Sequence, residues 1–242
     1  MNFDFSEDEK QLGAEAQRFL RDQCPLSRVR AVLERGADHD AGLWRSIAEM
    51  GWTGATIPEV YGGLGMSHLD ACMLAEQLGR ALAPLPTVPS IYVATDALIQ
   101  FGSEAQKQQW LPRLAGGDVI GTLAWAEGAG VPNARNLATI AQGGTVRGQK
   151  VPVPAGMIAH LAIVAARTDE SMGLYLVDLD GTGVTRARIE SIDPTRGHAA
   201  LSFDGAPAER LGDGDGTSML ETILHRAAVP TAFEQVAGAE AA

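Results

Sequence analysis

The sequence predicts an α+β chain. An N-terminal all-helical domain spans residues 1–117, an antiparallel β-barrel or β-sandwich domain spans 118–212, and the start of a C-terminal helical domain spans 213–242. Three observations predict this order. Apolar residues recur at helical spacing behind N-cap signals as far as residue 115. From Gly117 short apolar or alternating runs replace them, divided by Gly, Asp, Asn and Pro. Helical spacing returns after Gly212-Asp213-Gly214-Asp215-Gly216.

Each helix carries its own start signal. Ser6 with Glu9 forms a capping box that opens a run with Leu12, Ala16, Phe19 and Leu20 on one stripe. Asp40 caps a segment bearing Trp44, Ile47 and Met50, which Gly51 stops. Ser67, with Asp70 three residues on, opens a third with Leu69, Met73, Leu74 and Leu78. Pro84, Pro86 and Pro89 punctuate before a helix over roughly 90–101 that Gly102 ends. Ser103 with Gln106 opens the helix of Trp110, Leu111 and Leu114. No strand is expected before residue 116.

The β runs follow as Val119–Ala126, Ala138–Ala141, Thr145–Gly148, His160–Ala166, Leu174–Asp178, Val184–Ile189 and Ala199–Phe203. After them Leu220, Ile223, Leu224 and Ala227 form a stripe on the last helix. Pro230 is expected to kink that helix, because it lacks an N–H and crowds the carbonyl of Arg226. The alanine-rich end reads as a helix cut in mid-run. Its stripe lacks the bundle it should pack into, which predicts an oligomer.

Composition narrows the function classes. The formal net charge of −11, without a basic stripe, argues against nucleic acid and against a polybasic membrane anchor. No apolar run reaches the roughly 18 residues of a bilayer span, and the acidic N-terminus is no signal peptide. A cytoplasmic protein is the expectation. Two cysteines, Cys24 and Cys72, make no disulfide framework, and the five histidines show no metal spacing. No metal is expected.

Several motifs then stand in order. Pro58-Glu59-Val60-Tyr61-Gly62-Gly63-Leu64-Gly65 follows the Gly51-Trp52 turn. Phe101-Gly102-Ser103-Glu104-Ala105-Gln106-Lys107 runs on to Trp110-Leu111-Pro112, and Leu114-Ala115-Gly116 closes that stretch. Leu174-Tyr175-Leu176-Val177-Asp178 precedes Gly183-Val184-Thr185. In this order and spacing the chain resembles the acyl-CoA dehydrogenase family over its whole length. The fold implied is a helical domain, a β-domain and a C-terminal four-helix domain of which only the first turns are present.

The resemblance implies FAD as cofactor and an acyl-CoA thioester as substrate. It also implies electron-transfer flavoprotein or a similar acceptor as partner, in a homo- or hetero-oligomer of family protomers. The family's flavin strand, T-E-P-x-A-G-S-D, aligns with Leu123-Ala124-Trp125-Ala126-Glu127-Gly128-Ala129-Gly130-Val131-Pro132. Leu123, Trp125 and Ala126 are the implied flavin contacts, through backbone N–H groups at 125 and 126. Gly130 and Val131 are the implied substrate contacts, although the family's S-D pair is absent there. Glu127 is expected to be structural.

The family's K-x-W-I-T-N segment aligns with Lys150-Val151-Pro152-Val153-Pro154-Ala155. Pro152 and Pro154 replace both ring-contacting side chains, offering flat apolar surface and no donor. The flavin is expected between the strand Leu123–Glu127 and a turn at Val151–Pro154. Either it is held with fewer bonds, or this protomer has lost it and serves as a non-catalytic structural subunit of a heteromeric enzyme. The proline-containing version is similar to the branch acting on steroid side-chain or other bulky acyl-CoAs. The catalytic base is expected beyond Ala242. Glu234 and Glu240 carry no motif that marks either.

Overall fold

The computed structural model describes residues 5–130, 136–168 and 171–242. Six α-helices precede the sheet: α1 (Glu7–Gln23), α2 (Leu26–Glu34), α3 (Ala41–Glu49), α4 (His68–Arg80), α5 (Asp96–Phe101) and α6 (Glu104–Ala115). The caps read from sequence hold their helices. Ser6, Ser67 and Ser103 each complete a capping box, and the Asp40 carboxylate accepts from the Leu43 N–H at 2.8 Å. Asp40 also grips Arg28 through two bonds of 2.5 and 2.8 Å, which ties α2 to α3. The Arg28 guanidinium holds the Asp40 carboxyl down at about 2.

Two helical features depart from expectation. α2 carries no side-chain cap, since its N-cap is Pro25. The helix expected over 90–101 begins earlier, as a π-helix over Thr87–Thr95 that passes into α5. Pro89 falls within its first turn, where a missing N–H breaks no helical bond.

The signature at 58–65 is a packed turn. A 3-10 turn at Glu59–Tyr61 ends on Gly62 at φ 83°. The Leu64 and Gly65 N–H groups then donate to the Gly54 and Ile57 carbonyls at 3.0 and 2.9 Å. Tyr61 hydrogen-bonds Glu104 at 2.8 Å. These contacts lock the loop to α6, so the signature serves architecture.

The strands are β1 (Gly121–Ala124), β2 (Ile140–Gln142), β3 (Thr145–Pro154), β4 (Leu161–Arg167), β5 (Met172–Asp178), β6 (Val184–Ile189), β7 (His198–Pro207) and β8 (Glu209–Arg210). Their order is β6-β7-β3-β2-β4-β5-β8, with β1 on β4. The expected antiparallel sheet is in fact mixed: β1 runs parallel to β4, in register Gly121 to Leu161, and β2 touches β4 in parallel. A parallel bridge from Glu127 to Val151 carries the exit of β1 onto β3. Strands β1, β4, β2 and β3 thereby close a barrel-like circuit. β4 and its antiparallel neighbour β5 are buried nearly continuously along their length.

Helix α7 (Gly216–Ala241) starts at Asp215, whose side chain accepts from the Ser218 N–H at 2.9 Å. The acidic turn therefore works as a helix cap. α7 continues through Pro230 as one element. The Arg226 carbonyl, which loses its helical donor to Pro230, accepts from His68 Nε2 at 3.2 Å, so α4 supplies the missing bond. Arg226 also pairs with Asp96 at 2.7 and 2.9 Å. The expected lack of a packing partner is corrected in part: α7 lies along α4 and the π-helix, while Val229 and Val236 stay exposed. No described helix is long and apolar enough to cross a membrane.

Close approach of α4 and α7 depends on Gly79, where a Cβ would run into the Glu234 backbone. Gly79→Ala is expected to cost roughly 1–3 kcal/mol by overpacking. A lowered thermal midpoint checks this, and an unchanged midpoint would mean that α7 does not dock there.

Candidate functional site

The two segments aligned with the family's flavin contacts lie side by side. Val151 N–H donates to the Ala126 carbonyl at 2.8 Å, and Gly128 N–H donates to the Val151 carbonyl at 2.8 Å. The Thr122 hydroxyl donates to the Pro154 carbonyl at 2.6 Å. Residues 151–154 are thus the end of β3, and the turn follows at 155–158. The two segments flank each other in one sheet, which corrects the expected strand-and-turn sandwich.

Proline fits here for a physical reason. The register of β3 against β7 shifts between Lys150 and Val153, so Pro152 sits in a bulge where no ladder donor is needed. Val153 is fully buried, while Pro152 is exposed and Pro154 half-buried. Strand alternation thus puts both prolines on the outer face. Trp125 is half-buried, Ala126 buried, and Leu123 packs into the core. Gly130 is exposed, and Val131 lies outside the described residues.

Behind this face sits a buried ion pair that joins the two aligned motifs, a pairing their sequence does not reveal. Lys150, fully buried, donates from Nζ to Glu127 Oε1 at 2.7 Å and to the Trp125 carbonyl at 3.3 Å. Glu127 also accepts from the Ala138 and Thr139 N–H groups at 2.7 and 2.9 Å. Burial pushes the Glu127 carboxyl up, but Lys150 and these donors more than offset it and hold it at about 2. Burial lowers the Lys150 ammonium, against the pull of Glu127. The expected structural role of Glu127 has this geometry behind it.

Next to Pro154 opens a cleft of about 230 Å³. Leu85, Pro86, Val88 and Pro89 line one wall, Ala155 and the loop of Arg196 and His198 the other, with Thr231 of α7 between. Under the cleft Glu234 is buried among donors. Thr87 Oγ1 and Tyr92 OH donate to Oε1 at 2.7 and 2.9 Å, and Arg196 Nη2 donates to Oε2 at 2.8 Å. Burial first and then the Glu234 charge push the Tyr92 phenol well above its ordinary value, so it stays a donor. Sequence reasoning missed Arg196, and the only local signal is the Asp193-Pro194-Thr195 turn before it. Glu240 lies exposed and pairs with Arg80 at 2.8 Å. Among the described residues no three His, Cys, Asp or Glu side chains group as metal ligands.

Comparison with known proteins bears on this arrangement. Residues 6–118 match the family model "Acyl-CoA dehydrogenase, N-terminal domain". Mitochondrial isovaleryl-CoA dehydrogenase of Arabidopsis thaliana is 27% identical over 195 residues, covering 76% of this chain and 48% of that protein. The chain spans about half the length of the curated relatives it matches. A solved steroid ACAD is 29% identical with TM-score 0.84, over 97% of this chain and 64% of that one. An acyl-CoA dehydrogenase of Bacillus anthracis, solved in complex with FAD, shares the fold with TM-score 0.85 and 22% identity, over 97% of this chain and 42% of that one.

Proposed function

We infer that this chain belongs to the acyl-CoA dehydrogenase family, and from that premise we propose that it is a flavin-binding protomer for α,β-dehydrogenation of an acyl-CoA thioester. The observation that carries the reading is the pairing of residues 126–128 with Val151, which brings the two segments aligned with the family's flavin contacts side by side. Bound FAD supplies the acceptor that takes the substrate's β-hydrogen as hydride. Pro152, Pro154 and the Trp125 ring would offer its flat ring apolar contact and exclude water from that face. The backbone N–H groups at Trp125 and Ala126 would hold its polar edge. Leu123 anchors the strand from the core, and the Glu127–Lys150 pair keeps the exit of β1 rigid. Gly130 borders the substrate side in this reading.

No proton-abstracting base is assigned within residues 1–242, since Glu127, Glu234 and Glu240 are each tied into an ion pair. Electron-transfer flavoprotein or a similar acceptor, and further family protomers in an oligomer, complete the reading.

A second reading rests on one observation. Ala126 and Pro154 carry no hydroxyl where the family's flavin contacts do, which favours a flavin-free structural protomer. FAD titration of the purified chain separates the two. Saturable quenching of tryptophan fluorescence that disappears in Trp125→Phe supports flavin binding at this face. No binding at high micromolar FAD supports the structural protomer.

A further inference from the structure

The cleft beside Pro154 sets one charged group in an apolar wall. Arg196 keeps 39% of its side chain exposed, and its Nη2 alone has a partner among the described residues, Glu234. The fork carries five N–H donors, so Nε and Nη1 remain uncommitted. Glu234 already has two neutral donors from Thr87 and Tyr92. It therefore does not need the whole guanidinium.

Several other polar groups around the cleft already have partners. Asp38 is matched by Arg188 through two bonds of 2.6 and 2.7 Å. The Thr231 hydroxyl donates to the Ala227 carbonyl at 2.7 Å. His198 Nδ1–H donates to the Arg196 carbonyl at 2.9 Å. The rest of the lining is mostly aliphatic and proline surface. A cavity of about 230 Å³ lies below the roughly 300–1,000 Å³ of sites for larger organic ligands, so its occupant is small.

We propose that this cleft binds a short aliphatic carboxylate, with its chain against Leu85, Val88 and Pro89 and its carboxylate on the free donors of Arg196. The guanidinium already answers the charges of Glu234 and Asp193, but its Nε and Nη1 donors face an otherwise largely aliphatic wall, and its planar fork matches a carboxylate. The aliphatic wall selects a chain behind that anion over a bare ion such as phosphate. Taking the occupant as the distal end of a thioester's acyl group rests on the function proposed above. The binding itself does not.

The test uses the full chain without flavin or thioester, so its failure leaves the dehydrogenase reading untouched. Hexanoate and its neutral isostere hexanamide are titrated by ligand-observed NMR. Hexanoate is expected to bind at least about tenfold more tightly, the value of a charge-assisted bond. Arg196→Gln should erase that preference. Because that change strands Glu234, the pair-neutral variant Arg196→Gln with Glu234→Gln is measured beside it, with thermal melting as the folding control. Inorganic phosphate at equal concentration should not displace hexanoate. Equal binding of hexanamide, a preference that survives in a folded double variant, or full displacement by phosphate would each overturn the proposal.

Discussion

Glu127→Ala is expected to destabilise the chain by about 3–5 kcal/mol, the cost of leaving one partner of a buried pair uncompensated. Lys150 is fully buried and loses the carboxylate 2.7 Å away, while the Ala138 and Thr139 N–H groups lose their acceptor. Urea unfolding measures the loss. The double change Glu127→Leu with Lys150→Met removes both charges and should recover most of it. A single variant as stable as the parent would mean that the pair does not form.

The pH dependence of this pair has a definite sign. The Glu127 carboxyl is held below its ordinary value of 4.5, at about 2. A depressed carboxyl contributes stability that is fully present above the unfolded value. That stability is lost as pH falls from about 4.5 towards about 2. Asp40, also at about 2, loses its share in the same acid range. In Glu127→Ala the logic moves to Lys150, whose buried ammonium then has no anion. Its deficit should shrink at alkaline pH as Lys150 deprotonates.

Signals that act over three or four residues were legible in the sequence. Ser6, Ser67 and Ser103 announce their helices because a capping box is local chemistry, and the structure starts α1, α4 and α6 there. Strand β6 begins and ends where alternation places it. α2 escaped because a Pro25 N-cap makes no side-chain bond for a pattern to reveal. The end of β3 reads as a turn because two prolines in four residues resemble one. Only the bulge against β7 and the bridge to Glu127 explain why a strand tolerates them.

The same limit applies to the site. Alignment of motifs brought residues 123–127 and 150–154 into one argument. Nothing in one dimension shows that Lys150 reaches back to Glu127, that His68 replaces the bond lost at Pro230, or that Glu234 lies beneath a cleft faced by Arg196. Those contacts join residues 23, 158 and 38 positions apart. They depend on the packing of α7 against α4 and on the closure of β1 onto β3, which no local pattern encodes.

Restoring hydroxyls on the flavin face gives the other large expected effect. Ala126→Thr with Pro154→Thr should tighten FAD about thirtyfold, since two neutral hydrogen bonds contribute on the order of 1 kcal/mol each. The two positions are coupled through the sheet: the Ala126 carbonyl accepts from Val151, and the Pro154 carbonyl accepts from Thr122. Both bonds use carbonyl groups, which the substitutions keep. Pro154 is half-buried on the outer face, so a threonine there has room to turn its hydroxyl outward. Ala126 is 9% exposed, and the larger side chain must find space at that strand exit. The single variants therefore separate the contributions. Pro154→Thr alone should give roughly fivefold, and Ala126→Thr alone should match it only where the new side chain faces the ring. Fluorescence titration with FAD reads all three. An unchanged dissociation constant in the double variant, with the fold intact by melting, would place the flavin away from the shared face of β1 and β3. The structural-protomer reading would then gain over the catalytic one.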